Sequence, residues 1–169
     1  MNPQTTTDFL WQYEIAGRYH ADAEAVILEG DALHNLRALP GGLAKLIITS
    51  PPYNLGKAYE KATELESYLA SLGPALDEMV RLLAPDGSLC WQVGNFVEDG
   101  EVIPLDMFYY PLFKSRGLKL RNRIVWHFEH GLHATKRFSG RYETLLWFTK
   151  GDEYTFHLDR VRVPSKYPG

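Results

Sequence analysis

Two consecutive prolines, Pro51 and Pro52, follow the apolar run Leu46-Ile47-Ile48 and its polar end Thr49-Ser50, and they limit this chain more than any other feature. Proline has no backbone N–H and holds φ near about −65°, so a strand cannot extend its ladder through two of them. The strand therefore ends near Thr49 and passes into a stiff loop, Ser50-Pro51-Pro52-Tyr53-Asn54, with a free carbonyl at its tip. Rigid loops at the carboxyl ends of strands in open α/β sheets are where ligands bind. A hydroxyl, a bare carbonyl and an aromatic face held together there suit a planar ligand that carries an amino group.

The segments on either side read as α/β, with short apolar runs alternating with helical patterns. Ala25–Leu28 is a strand candidate that ends at Glu29-Gly30-Asp31, and Asp31 is placed to cap a short helix with Leu33, Leu36 and Leu39 on one face. Pro40-Gly41-Gly42 breaks the chain before the strand Leu46–Thr49. The three- and four-residue spacing of Tyr68, Leu69, Leu72, Leu76, Met79, Val80 and Leu83 predicts a helix from about Leu65 to Leu83. A turn at Pro85-Asp86-Gly87 leads into the buried strand Ser88–Val93. Pro104 and Gly117 bracket another helix, holding Met107, Tyr110, Leu112 and Phe113. Two long β-like runs follow, Leu118–Phe128 and Thr144–Lys150, with a further short strand expected at Tyr154–Leu158. No internal repeat or linker interrupts the order, so residues 1–169 read as one domain.

Composition excludes several classes. A chain of 169 residues with 45% hydrophobic content can bury a core. The single cysteine, Cys90, leaves no internal disulfide or multi-cysteine zinc site and points to a reducing, cytoplasmic compartment. No apolar run approaches the roughly 20 residues that span a bilayer, so no membrane partner is expected. His127, His130 and His133 recur every three residues, a spacing that does not converge on one metal from a strand or loop. There is no Gly-x-x-x-x-Gly-Lys-Ser/Thr phosphate loop and no Gly-x-Ser-x-Gly elbow. Net charge is −3 but unevenly placed: residues 1–110 hold 6 Lys/Arg against 16 Asp/Glu, and residues 111–169 hold 12 against 5. That split is either uneven solvated surface or a C-terminal third that faces a polyanion.

The chain from about residue 20 onward closely resembles the DNA amino methyltransferases, which methylate N4 of cytosine or N6 of adenine. The resemblance is carried by Glu29-Gly30-Asp31-Ala32-Leu33, by Leu46–Asn54 with Leu55-Gly56-Lys57, and by Asp86–Asn95. Gly131-Leu132-His133, Arg137-Phe138 and Arg141–Phe148 extend it. It implies a partial S-adenosylmethionine-dependent methyltransferase (Rossmann-like) fold, a mainly parallel sheet with an antiparallel C-terminal strand pair. It also implies catalytic roles for Ser50, Pro51, Pro52 and Tyr53. An aromatic amine is a poor nucleophile because its lone pair is delocalised into the ring. Hydrogen bonds from its N–H groups to the Ser50 hydroxyl and a proline-flanked carbonyl favour a more tetrahedral nitrogen, and Tyr53 would stack on a base flipped from double-stranded DNA. Serine at position 50 leans toward N4 of cytosine, since adenine enzymes more often carry Asp there. Cys90, on a strand, is read as packing rather than as the nucleophile that carbon-5 methylation needs.

S-adenosyl-L-methionine is the implied cofactor, with Asp31, Thr49 and Ser50 as its contacts. Asp31 has both a capping and a cofactor reading, and the two are compatible. Residues 128–142 form the candidate DNA-contacting loop, with His133, Lys136, Arg137 and Arg141 toward DNA and Phe138 able to fill the base's place; an ordinary exposed loop is the alternative. The glycine-rich loop that cradles the cofactor is not found in these residues. In the permuted arrangement it lies farther along, so the chain reads as an N-terminal half that a second polypeptide or a second copy completes, or as a truncated product. Restriction-modification is the expected setting. A non-catalytic DNA-binding half, or an amino methyltransferase for RNA or protein glutamine, are the other readings.

Overall fold

The computed structural model describes residues 13–53, 64–131 and 133–167. Two compact units divide the chain, Met1–Pro40 and Gly41–Gly169. In the first, β1 (Ile15–Ala16) and β2 (Ala25–Val26) pair in parallel. The strand predicted over Ala25–Leu28 is shorter because its partner is two residues long; one further bond, from Ile27 N to Ala16 O at 3.0 Å, ends the ladder. Helix α1 (Ala32–Ala38) begins at Asp31, whose Oδ1 accepts from His34 N at 2.8 Å. The predicted cap is therefore made, and it satisfies one of the orphan donors of the first turn.

The second unit runs β3 (Ala44–Thr49), α2 (Leu65–Leu82), β4 (Leu83–Val93), β5 (Asn95–Glu98), β6 (Glu101–Pro104), α3 (Leu105–Ser115), β7 (Lys119–His127), β8 (Tyr142–Thr149) and α4 (Leu158–Val161). Four strands form a sheet in the order β3-β4-β8-β7. β3 and β4 are parallel, joined by the crossover that contains α2. β8 lies antiparallel to both β4 and β7, so the C-terminal strand pair has the expected sense.

Period-two alternation along β4 puts Leu89, Trp91 and Val93 on one face, where Leu146 and Phe148 of β8 join them. Leu76 of α2 and Leu105, Tyr109 and Phe113 of α3, four residues apart, cover that face. Met107 and Tyr110 point away and are exposed. At the centre the Trp91 ring sits 5.0 Å from Tyr109 and 5.2 Å from Phe113, which in turn lies 4.8 Å from Phe148. Buried Asp106 is matched by Arg123 of β7, whose Nε donates to it at 3.0 Å.

Lys150 closes the C-terminal end of α2, donating to Val80 O at 2.9 Å and Leu83 O at 2.8 Å. A cation there satisfies end carbonyls and complements the helix dipole. Lys150→Met is expected to destabilise the chain by about 1–3 kcal/mol. The midpoint of a thermal melt should then fall by about 2–4 °C per kcal/mol. An unchanged midpoint would show that the cap contributes nothing.

The opposite face of the sheet is only partly covered. Leu46 and Ile48 of the edge strand β3 are 57% and 67% exposed, and Ile48 stands beside Cys90, itself beside Trp147. Cys90 is half-buried, and that burial pushes its thiol above the ordinary value, as suits packing rather than attack. Two expectations are corrected. The turn expected at Pro85-Asp86-Gly87 is absorbed into β4, where the register against β3 shifts between Ala44 and Leu46. Tyr154–Leu158 forms no strand, because β7 already occupies the edge beside β8. Tyr154 and Phe156 instead pack on Trp147, at ring distances of 5.5 and 5.2 Å, and Leu158 opens α4. The β5–β6 hairpin, turning at Asp99-Gly100, was not expected. Among the described residues no helix is long and apolar enough to cross a membrane.

Candidate active site

The loop Ser50–Tyr53 leaves the carboxyl end of β3, as the double proline requires. Thr49, the last strand residue, is half-buried and pairs with Trp91; Ser50 is exposed. The Ser50 Oγ and the Tyr53 hydroxyl lie 3.0 Å apart. Tyr68 of α2 donates its hydroxyl proton to the Pro52 carbonyl, and its oxygen lies 2.9 Å from that of Tyr109. Tyr109 is fully buried, and burial first, then its bond to Tyr68, push its phenol well above the ordinary range, so it stays neutral. The prolines are thus anchored from beneath by the core. Asn54 and Leu55-Gly56-Lys57 fall outside the described residues.

Tyr53 reaches across the sheet end. A side-chain Cβ at Gly94 would stand 3.0 Å from Tyr53 Cε2 and 3.3 Å from Cδ2, so the ring rests directly on backbone that only glycine leaves bare. The Tyr53 hydroxyl donates to Glu143 Oε2 at 3.2 Å, and Gln92 Nε2 donates to the same oxygen at 2.5 Å. Glu143 and Gln92 were part of the recognisable sequence pattern, but nothing in their spacing assigned them to the site. Only the β4–β8 register brings them to Tyr53.

Tyr53, Gly94, Glu143 and Tyr142 line a cleft of about 670 Å³, together with Arg137, Phe138 and Ser139 of the segment between β7 and β8. The base of that segment is closed by Phe128 N donating to Arg141 O at 2.9 Å. Arg141 donates to Glu129 O at 2.9 Å, and its Nη2 lies 3.3 Å from His133 Nδ1, so both residues shape the loop internally. Lys136 and Arg137 are exposed, and Phe138 is 99% exposed. Asp31 belongs to the first unit, where one of its oxygens is engaged in the cap.

A parallel strand that ends in a hydroxyl, two prolines and an aromatic thus faces a basic segment across a cleft in an α/β fold. A Thermus thermophilus protein assigned to the DNA modification methylases, solved with S-adenosyl-L-methionine, superposes with a TM-score of 0.62 at 27% identity, over 80% of this chain and 61% of that one. The cytosine-N4-specific PvuII DNA methyltransferase superposes with a TM-score of 0.68 at 20% identity, over 83% and 57%, a likeness of fold alone. The fold is that of the S-adenosylmethionine-dependent methyltransferases.

The sequence profile of the DNA methylases, the N6/N4 methyltransferases, matches residues 44–168. The type II methyltransferase M.BglII of Bacillus subtilis is 49% identical over 142 residues, which are 83% of this chain and 39% of that relative. The DNA adenine methyltransferase YhdJ of Escherichia coli K12 is 30% identical over 154 residues, 88% of this chain and 49% of the relative. The chain belongs to the DNA methylase family. It spans half or less of the length of these curated relatives.

Proposed function

We propose that this chain supplies the base-binding side of a site-specific DNA methyltransferase, acting on the exocyclic amine of a flipped base, with N4 of cytosine favoured over N6 of adenine. The observation that supports this best is the shared cleft: Tyr53 and the basic segment with Arg137 and Phe138 line one cavity beside the exposed Ser50 hydroxyl. Tyr53 stacks on the base, and Ser50 accepts one amino hydrogen. Since Tyr68 engages the Pro52 carbonyl, the carbonyl offered to the second hydrogen is that of Pro51. Lys136 and Arg137 hold phosphates, and Phe138 enters the space the base leaves. His133 and Arg141 act by shaping that loop, and the Arg141 charge adds to its attraction for phosphate.

S-adenosyl-L-methionine supplies an electrophilic sulfonium methyl when bound. The residues present fit one side of it. Thr49 and Ser50 present hydroxyls at the strand end. A glycine-rich cradle is proposed to come from further strands that add to the outer edge of β3, over exposed Leu46 and Ile48. The setting proposed is cytoplasmic restriction-modification.

Incubating the chain with S-adenosyl-L-methionine and DNA, alone and together with the strands that supply the cradle, and digesting the DNA to nucleosides tests the reading. N4-methylcytosine is expected, and only when those strands are present. N6-methyladenine would overturn the choice of base, and no methylated nucleoside in either case would overturn the proposed reaction. Light scattering that shows the chain monomeric at every concentration would exclude a second copy as the source of those strands.

A further inference from the structure

The hydrogen bonds behind Ser50 have a direction, and a carboxylate sets it. Glu143 Oε2 receives two donors, the Tyr53 hydroxyl at 3.2 Å and Gln92 Nε2 at 2.5 Å. A carboxylate accepts and does not donate, and a phenol has one proton to give. With that proton on Glu143, the Tyr53 oxygen accepts from Ser50, 3.0 Å away. The Ser50 proton is drawn inward, and Oγ presents lone pairs to its exposed side.

We propose that Glu143 is a positioning residue which, held by Gln92 and acting through Tyr53, keeps Ser50 a hydrogen-bond acceptor. The site thereby prefers a ring with an amino group over one with a carbonyl at the same place. This rests on the base-binding reading above and goes beyond it, because it gives the chemical preference a source outside the Ser-Pro-Pro-Tyr loop. The supports are rigid: Gln92 and Glu143 stand on the two central strands, and the Tyr53 ring lies against the Gly94 backbone, which fixes where its hydroxyl points. Removing the carboxylate releases the Tyr53 proton toward Ser50. The serine hydroxyl then turns outward as a donor, and a carbonyl becomes as acceptable as an amine. A purely structural Glu143 would affect stability without changing that preference.

The test uses the full chain and fluorescence anisotropy with duplexes that carry one base opposite an abasic site, where little pairing opposes flipping. The four bases are cytosine, uracil, adenine and hypoxanthine. The chain is expected to bind cytosine over uracil, or adenine over hypoxanthine, by about tenfold or more, the scale of an unsatisfied polar contact. Glu143→Met should bring the ratio to within about twofold, while Glu143→Gln, whose amide oxygen still accepts, keeps it. Should Glu143→Met fail to fold, Tyr53→Phe removes the same proton link, keeps the ring and is expected to collapse the ratio equally. A preference that survives in the folded Met or Phe variant overturns the proposal and leaves the base-binding reading intact. A chain that binds all four duplexes no better than a fully paired one overturns both.

Discussion

Trp91→Ala is expected to leave the second unit without a cooperative unfolding transition. The indole is 1% exposed on the central strand β4, and its ring touches Tyr109 and Phe113, the two aromatic anchors of α3. Cutting such a side chain to alanine removes its transfer free energy and leaves a cavity, at a cost of about 3–5 kcal/mol. A domain's whole stability is about 5–15 kcal/mol, so little or none remains. The damage also spreads toward function, because Tyr109 bonds Tyr68, which holds the Pro52 carbonyl. Trp147 provides the comparison: it lies on the other, half-covered face and donates to Ser88 Oγ at 3.0 Å. Trp147→Ala should retain a sigmoidal urea transition at a lower midpoint. If Trp91→Ala unfolds at the same midpoint as the unchanged chain, the core is not where the sheet places it.

The sequence made the elements legible where one residue type forces one geometry. Pro51-Pro52 ended β3 at Thr49, and Asp31 began α1, because a missing donor and a capping oxygen act locally. The hairpin shows the opposite weakness. Asp99 and Gly100 both take positive φ, at 49° and 85°, the requirement of a tight two-residue turn, and Asp-Gly is its usual signal. The flanking strands are four residues each, and their apolar residues are too few for periodicity to register. Tyr154–Leu158 failed for a tertiary reason: its aromatics fit a strand pattern, but the Trp147 ring offered them a better surface than the sheet offered an edge. The site divides the same way. Ser50 to Tyr53 are contiguous and could be read, whereas Gln92 and Glu143 are 51 residues apart and converge only through strand register. Arg141 carried a charge that suggested phosphate, and sequence alone does not reveal that the charge also braces its own loop.

The largest functional effect is expected from Ser50→Ala. The residue is exposed at a strand exit, so its loss should change stability by no more than about 0.5 kcal/mol. DNA affinity should also hold, because the phosphate contacts proposed for Lys136 and Arg137 would remain in place. In the proposed reaction what disappears is the acceptor for an amino hydrogen at the moment the nitrogen lone pair leaves the ring and positive charge grows on the amine. A preorganised contact to charge that develops in the transition state is worth about 10²–10³ in rate. Methyl transfer by the complete assembly, followed with labelled S-adenosyl-L-methionine, should therefore fall by that factor in kcat while KM for DNA stays within a few-fold. Tyr53→Ala should differ in kind, since losing the stacking face weakens capture of the flipped base and raises KM as well. A Ser50→Ala enzyme within tenfold of the parent rate would remove Ser50 from the reaction and leave the Pro51 carbonyl to do the work alone. The preference that Glu143 sets would then have nothing to act through.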